Sequence, residues 1–328
     1  MSTSQRPLPS MDGPLYVTDG GMETTLIFRQ GFDLPEFSSL VMMTTPDKRA
    51  AVADYAETYF DIARKAGLGM VIETATWRAS PDWTTRIGFL GLGDLADANR
   101  QAVELLADVR GKARYEAVDI IISGCIGPRG DGYDAGSIMS ADEAEAYHAW
   151  QVGILSETSA DVISGLTMTN IAEAIGLARA AKAAGCRSVI SFTVETDGRL
   201  PTGDTLARAI AEVDAATHHA PAYYMVNCAH PIHLAGSLDL PAGLRQRLRG
   251  IRANASKCSH AELDAMETLD DGDPLELGGE MATICAANSN LRVFGGCCGT
   301  DDRHIAAMAV ELRRLTAGGA TAPAAPAA

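Results

Sequence analysis

Excess positive charge, long apolar runs and dense cysteine are what this sequence lacks. Lys and Arg number 27 against 42 Asp and Glu, a formal net charge of -15. That balance excludes the basic surface that nucleic acid or an anionic membrane would select, and it suits a soluble enzyme for small molecules. No apolar run approaches the ~18 residues of a membrane-spanning helix. The start, Met1 to Met11, has no charged-then-apolar pattern of a secretory signal. A cytoplasmic location is therefore expected. Cysteine is sparse and odd in number, seven in 328 residues, which excludes a small disulfide-stapled scaffold. Some thiols are thus left to act as ligands or core residues.

No linker, charge run or short repeat interrupts the middle of the chain. One domain over 14–316 is expected, between a tail at 1–13 and a low-complexity tail at 317–328. What fills that domain is alternation. Short β-branched or apolar runs at 15–18, 70–72, 119–123, 161–163, 188–194, 222–226, 250–253 and 291–294 are mostly followed by helical periodicity. Ser140 with Glu143, and Ser259 with Glu262, have the spacing of capping boxes. Eight strand–helix repeats imply a parallel sheet closed into a single (β/α)8 barrel of the α/β class. The main competitor, an open doubly wound sheet, would carry Gly-x-Gly-x-x-Gly after its first strand. Asp19-Gly20-Gly21-Met22-Glu23 stands there instead.

Ligands of such barrels sit at the C-terminal ends of the strands. Asp19, Glu73, Cys125, Glu195, Asn227-Cys228 and Cys297-Cys298 all follow predicted strands. The pair Cys297-Cys298 lies in Gly295-Gly296-Cys297-Cys298-Gly299-Thr300, where glycine is expected to let the backbone leave strand geometry so that both thiols meet one object. With Cys228 on the same rim, three thiolates can bind Zn2+ and leave a fourth position open, as catalytic zinc sites do. His230 or His233 could replace one sulfur, and Cys125 is a weaker candidate. A vicinal disulfide or plain burial are the other fates of Cys297-Cys298.

The elements Asp19-Gly20-Gly21-Met22, Gly124-Cys125-Ile126-Gly127-Pro128, Val226-Asn227-Cys228 and Gly295 to Thr300 resemble those of the homocysteine S-methyltransferase family, from about Tyr16 to Ile305. The resemblance implies that Cys228, Cys297 and Cys298 bind zinc, that homocysteine is the thiol acceptor, and that methionine is the product. The donor would be an onium compound: S-methylmethionine, S-adenosylmethionine or a betaine. No protein side chain is required as base, because coordination itself removes the thiol proton. Asp19 is expected to meet the substrate ammonium, with Gly20 and Gly21 N–H groups near the carboxylate and Asn227 as a further substrate-binding residue. Where the family usually carries Glu after the fourth strand, this chain has Leu166. Glu23, Glu73 and Glu195 are candidates to replace it. Trp77 and Trp83 could wall a cationic donor. Two other readings keep the barrel: a different thiol acceptor, or a non-catalytic protein with structural zinc or a redox-active Cys297-Cys298.

Overall fold

The computed structural model describes residues 6–318 apart from Ala235 and Glu267. Eight strands run in chain order around a closed barrel: β1 Tyr16–Thr18, β2 Gly69–Glu73, β3 Ile120–Ile126, β4 Val162–Met168, β5 Ser188–Thr193, β6 Pro221–Ala229, β7 Leu248–Ala253 and β8 Val293–Gly296. Every neighbouring pair is parallel, and Tyr16 opposite Val293 closes the ring. The barrel expected from the alternation is the fold observed. Around it lie α1 Pro46–Ala66, α2 Leu92–Arg110, α3 Ala141–Ser156, α4 Ile171–Ala183, α5 Leu206–Thr217, the short α6 Ala242–Arg245, α7 Pro274–Ala287 and α8 Asp302–Gly318.

Local chemistry accounts for the helix boundaries. Helix α1 starts on Thr45 with Pro at its first position and stops on Gly67 in the left-handed conformation. Both capping boxes form. The one at Ser259 opens only His260–Asp264, because the turn-forming run Asp270-Asp271-Gly272-Asp273 follows and Asp273 caps α7 instead.

Inside the barrel the strand period of two sorts residues by depth. Tyr16, Val71, Ile121, Val162, Val189, Tyr223, Met225 and Val293 form an apolar plug. Residues 6–13, read as part of a tail, lie against this end: Leu8 packs on the plug and Met11 O accepts from Arg292. Two residues further along the strands, on the same face, come Thr18, Glu73, Ser123, Ser164, Ser191, Asn227 and Arg252, all buried. The lumen is therefore oily at the N-terminal end and polar at the C-terminal end. Burying that many polar groups is costly unless they are paired or used, and the polar end is where barrel chemistry is expected.

Candidate metal and thiol site

The vicinal cysteines are set by β8 and the turn beyond it. Gly295 and Gly296 belong to the strand, contrary to the expectation that they let it break. Their role is space: a Cβ on Gly295 would collide with the Thr18 side chain, and one on Gly296 with Thr300. The left-handed residue is Gly299, at φ +79°. Cys297 N donates to Ala253 O at 2.7 Å, and Thr300 Oγ1 donates to Cys297 O at 2.7 Å. The peptide carrying both thiols is thus held from both sides.

Cys228 reaches them by an unusual backbone. It lies within β6 at φ +59°, and Thr167 on β4 sits at φ +62°. Such values are rare outside glycine, and for β-branched Thr they mark strain of the kind found at functional sites. One side chain secures both. Asn227 Oδ1 accepts from Thr167 N at 3.1 Å and Ser191 Oγ at 2.6 Å, while Nδ2 donates to Thr167 Oγ1 at 2.9 Å. The same Nδ2 lies 3.1 Å from Cys228 Sγ and 3.8 Å from Cys297 Sγ.

The sulfurs of Cys228, Cys297 and Cys298 all lie within 4.8 Å of one another. Cys228 and Cys297 are joined as a disulfide that does not include Cys298. The vicinal pair considered from the sequence is thus not the bonded one. Reduced, these sulfurs fit zinc: tetrahedral Zn–S bonds of ~2.3 Å put sulfurs ~3.8 Å apart, and three thiolates leave one position open. No other group of three or more metal-competent side chains is found among the described residues. His230 instead accepts from Ile232 N and lies 3.5 Å from Glu280, and burial, with Lys257 and His233 nearby, holds its imidazole down to about 4. Cys125 is buried in the lumen, where burial and then Glu73 keep its thiol well above the usual range.

Below the sulfurs lies a cluster of buried charges. Arg252 Nη2 is 2.9 Å from Asp19 Oδ1, and Nη1 is 3.6 Å from Glu73 Oε1. Arg252 also donates to Gly296 O at 3.0 Å, and Tyr55 donates to Asp19 Oδ2 at 3.0 Å. Burial raises the Asp19 carboxyl, opposed by Arg252. Glu73 is pushed up to about 7 by burial, again against Arg252. Burial disfavours the Arg252 charge, but the two carboxylates outweigh it. Glu73 Oε2 and Arg252 Nη1 have no hydrogen-bond partner.

The other predicted contacts are dispersed. Half-buried Glu23 is raised by burial and hydrogen-bonds Ser39. Gly21 N is already engaged by Thr300, and Gly20 O accepts from Tyr55. Glu195, by contrast, lines one small cavity with Cys228 and lies 3.1 Å from His260 Nδ1. Arg78 covers both Trp77 and Trp83, at 4.8 and 4.5 Å from the ring centroids, so those faces already hold a cation. Leu166 is buried on β4. Three residues at the site were not singled out from the sequence: Arg252, Tyr133 and His260. Arg252 sits in a run that reads as a weak strand, and its inward position follows only from the register with β8.

The sequence matches the homocysteine S-methyltransferase family over residues 16–312. No curated protein matches it. Among solved structures it is similar to the homocysteine methyltransferase MmuM from Escherichia coli. To the metallated form the TM-score is 0.71 at 21% identity, covering 91% of this chain and 96% of that one. The oxidised form gives 0.70 at 21% over the same shares, and the apo form 0.65 at 22%, covering 92% and 97%. At that identity the likeness speaks for the fold, and the family match over nearly the whole barrel speaks for descent. The chain belongs to the homocysteine S-methyltransferase family.

Proposed function

We propose that this protein moves a methyl group from an onium donor to the thiol of homocysteine, giving methionine. The observation that carries the reading is the three-sulfur cluster at the C-terminal mouth of the barrel. Cys228, Cys297 and Cys298 would hold zinc, which when bound supplies deprotonation of the acceptor thiol while leaving its sulfur nucleophilic. The acceptor sulfur attacks the donor methyl carbon, and the bond from that carbon to the onium centre breaks. Its electron pair leaves with a neutral sulfide or amine, and the thiol proton goes to solvent. Asn227 fixes the orientation of the ligand sulfurs. Keeping three such thiols reduced fits a cytoplasmic setting.

The amino-acid end of the acceptor is assigned to the polar lumen. Asp19 is held by Arg252 at 2.9 Å and by Tyr55 at 3.0 Å, whereas Glu73 has the longer 3.6 Å contact to Arg252 and a second oxygen without a hydrogen bond, so Glu73 is the better receptor for an ammonium group. A second reading follows from the same pair: with Leu166 in place of a carboxylate and Asp19 occupied, a thiol lacking an ammonium is an alternative acceptor. A panel of S-methylmethionine, S-adenosylmethionine and glycine betaine, run with homocysteine and with simple mercaptans, decides between them by mass detection of the methylated product. Methionine from one dominant donor supports the first reading. Methylation of mercaptans alone supports the second, and metal retained with no thiol methylated would leave a non-catalytic barrel.

A further inference from the structure

We infer that Tyr133 is the gate of the thiol site, occupying the open side of the sulfur cluster that an incoming acceptor must take. Its phenolic oxygen lies 2.8 Å from Cys298 Sγ and 3.7 Å from Cys228 Sγ. Its half-buried ring stacks on His260, with centroids 4.0 Å apart and planes inclined by 29°. His260 is itself fixed, with Nε2 2.6 Å from Cys228 O and Nδ1 3.1 Å from Glu195. The phenol is thus placed by a support that ends on the backbone of one of the three cysteines.

The loop between β3 and α3 is built to hold this position and to release it. Asp131 Oδ1 accepts from Tyr133 N at 2.8 Å and from Asp134 N at 3.2 Å, shaping the turn. Arg78 lies 3.6 Å from Asp131. Gly132 seats the turn so closely on Thr167 and Trp77 that a Cβ there would come within 3.0 and 3.1 Å of them. On either side of the seat, a side chain at Gly130 or Gly136 would meet open space, and Gly136, at φ +51°, donates its N–H to Asp134 Oδ1 at 2.9 Å. Glycines flanking a docked residue in this way can absorb the dihedral changes of a hinge. Closed, the loop sets the phenol against the buried Cys228, while Cys298 stays exposed at the rim. Open, it presents the sulfurs to the acceptor.

Only the identity of the gated ligand rests on the proposed acceptor; the gate itself can be tested without it. In metal-free, reduced protein, the rate at which a thiol reagent labels the buried Cys228 is read by peptide mass, with Cys186 as internal reference. Tyr133→Ala is expected to speed Cys228 labelling about tenfold and leave Cys186 unchanged. An unchanged Cys228 rate, or equal acceleration at both cysteines, overturns the proposal. Tyr133→Phe keeps the ring and its stack, so it guards against misfolding. In zinc-loaded protein this variant is expected to bind homocysteine about 2- to 10-fold more tightly by calorimetry, because the acceptor no longer displaces a hydrogen bond. Equal or weaker binding would make the hydroxyl an acceptor contact and overturn the gate. If the native protein binds no homocysteine, the acceptor reading fails and the labelling result still decides for or against the gate.

Discussion

Arg252 and Asp19 form a buried ion pair of 2.9 Å that ties β7 to the end of β1. The same guanidinium reaches Glu73 and the carbonyl of Gly296, so one cation organises both the Asp-Gly-Gly loop and the peptide before the vicinal cysteines. Removing it leaves two buried carboxylates without a counter-charge. Arg252→Met is expected to cost about 3–5 kcal/mol in denaturant unfolding. A loss below about 1 kcal/mol would show that the carboxylates are satisfied in another way.

The cysteine assignment predicts about one zinc per chain in the purified, reduced protein. Cys228→Ser and Cys298→Ser are each expected to lose most of the metal while the barrel stays folded, since the site lies at the rim and outside the apolar plug. Cys186→Ser should keep it. Metal analysis beside circular dichroism checks this, and full retention in both rim variants would reject the ligand set.

Asn227 Nδ2 faces the sulfurs of Cys228 and Cys297, at 3.1 and 3.8 Å. Asn227→Ala frees Thr167 N and Ser191 Oγ from their partner and removes the donor beside Cys228 Sγ. Loss of supporting hydrogen bonds of this kind typically lowers metal affinity about 10- to 100-fold. Chelator competition is expected to show that weakening, and a native affinity in the variant would make Asn227 only a barrel residue.

Glu73 gives the protein a pH signature. Its folded-state carboxyl is raised to about 7 by burial from an ordinary 4.5. Between those values the folded chain holds a proton that the unfolded chain has released, so stability falls as pH climbs through that window and levels off above it. Glu73→Gln is expected to flatten this slope in unfolding measured from pH 5 to 8. Ammonium binding needs the ionised form, so KM for homocysteine should fall as pH rises through about 7 in the native enzyme and not in the variant. A steep fall that survives Glu73→Gln would transfer the role to another group.

Sequence periodicity was enough for the barrel because each strand and helix carries its own local signature, from the capping box at Ser140 to the left-handed Gly67. The clustering of the three cysteines was legible for a different reason: two are adjacent in the chain and the third closes a strand on the same rim. The pairing of Arg252 with Asp19 was not legible, because 233 residues separate them and only the closing register of β7 and β8 turns Arg252 inward. Tyr133 was hidden in a glycine-bearing loop, and its place over Cys298 depends on a tertiary stack with His260. The left-handed backbone at Cys228 leaves no trace in residue type either, since the residue that favours such a φ is glycine.

We propose that the three-sulfur site binds zinc and takes the acceptor as its thiolate. Titrating homocysteine into zinc-loaded protein near pH 7, in buffers of different ionisation enthalpy, counts the protons released on binding. A free thiol of pKa ~8.5 is mostly protonated there, so release of nearly one proton per homocysteine bound is expected, abolished when the metal is removed or Cys298 is changed to Ser. Binding of equal strength with and without zinc, and with no proton released, would contradict it.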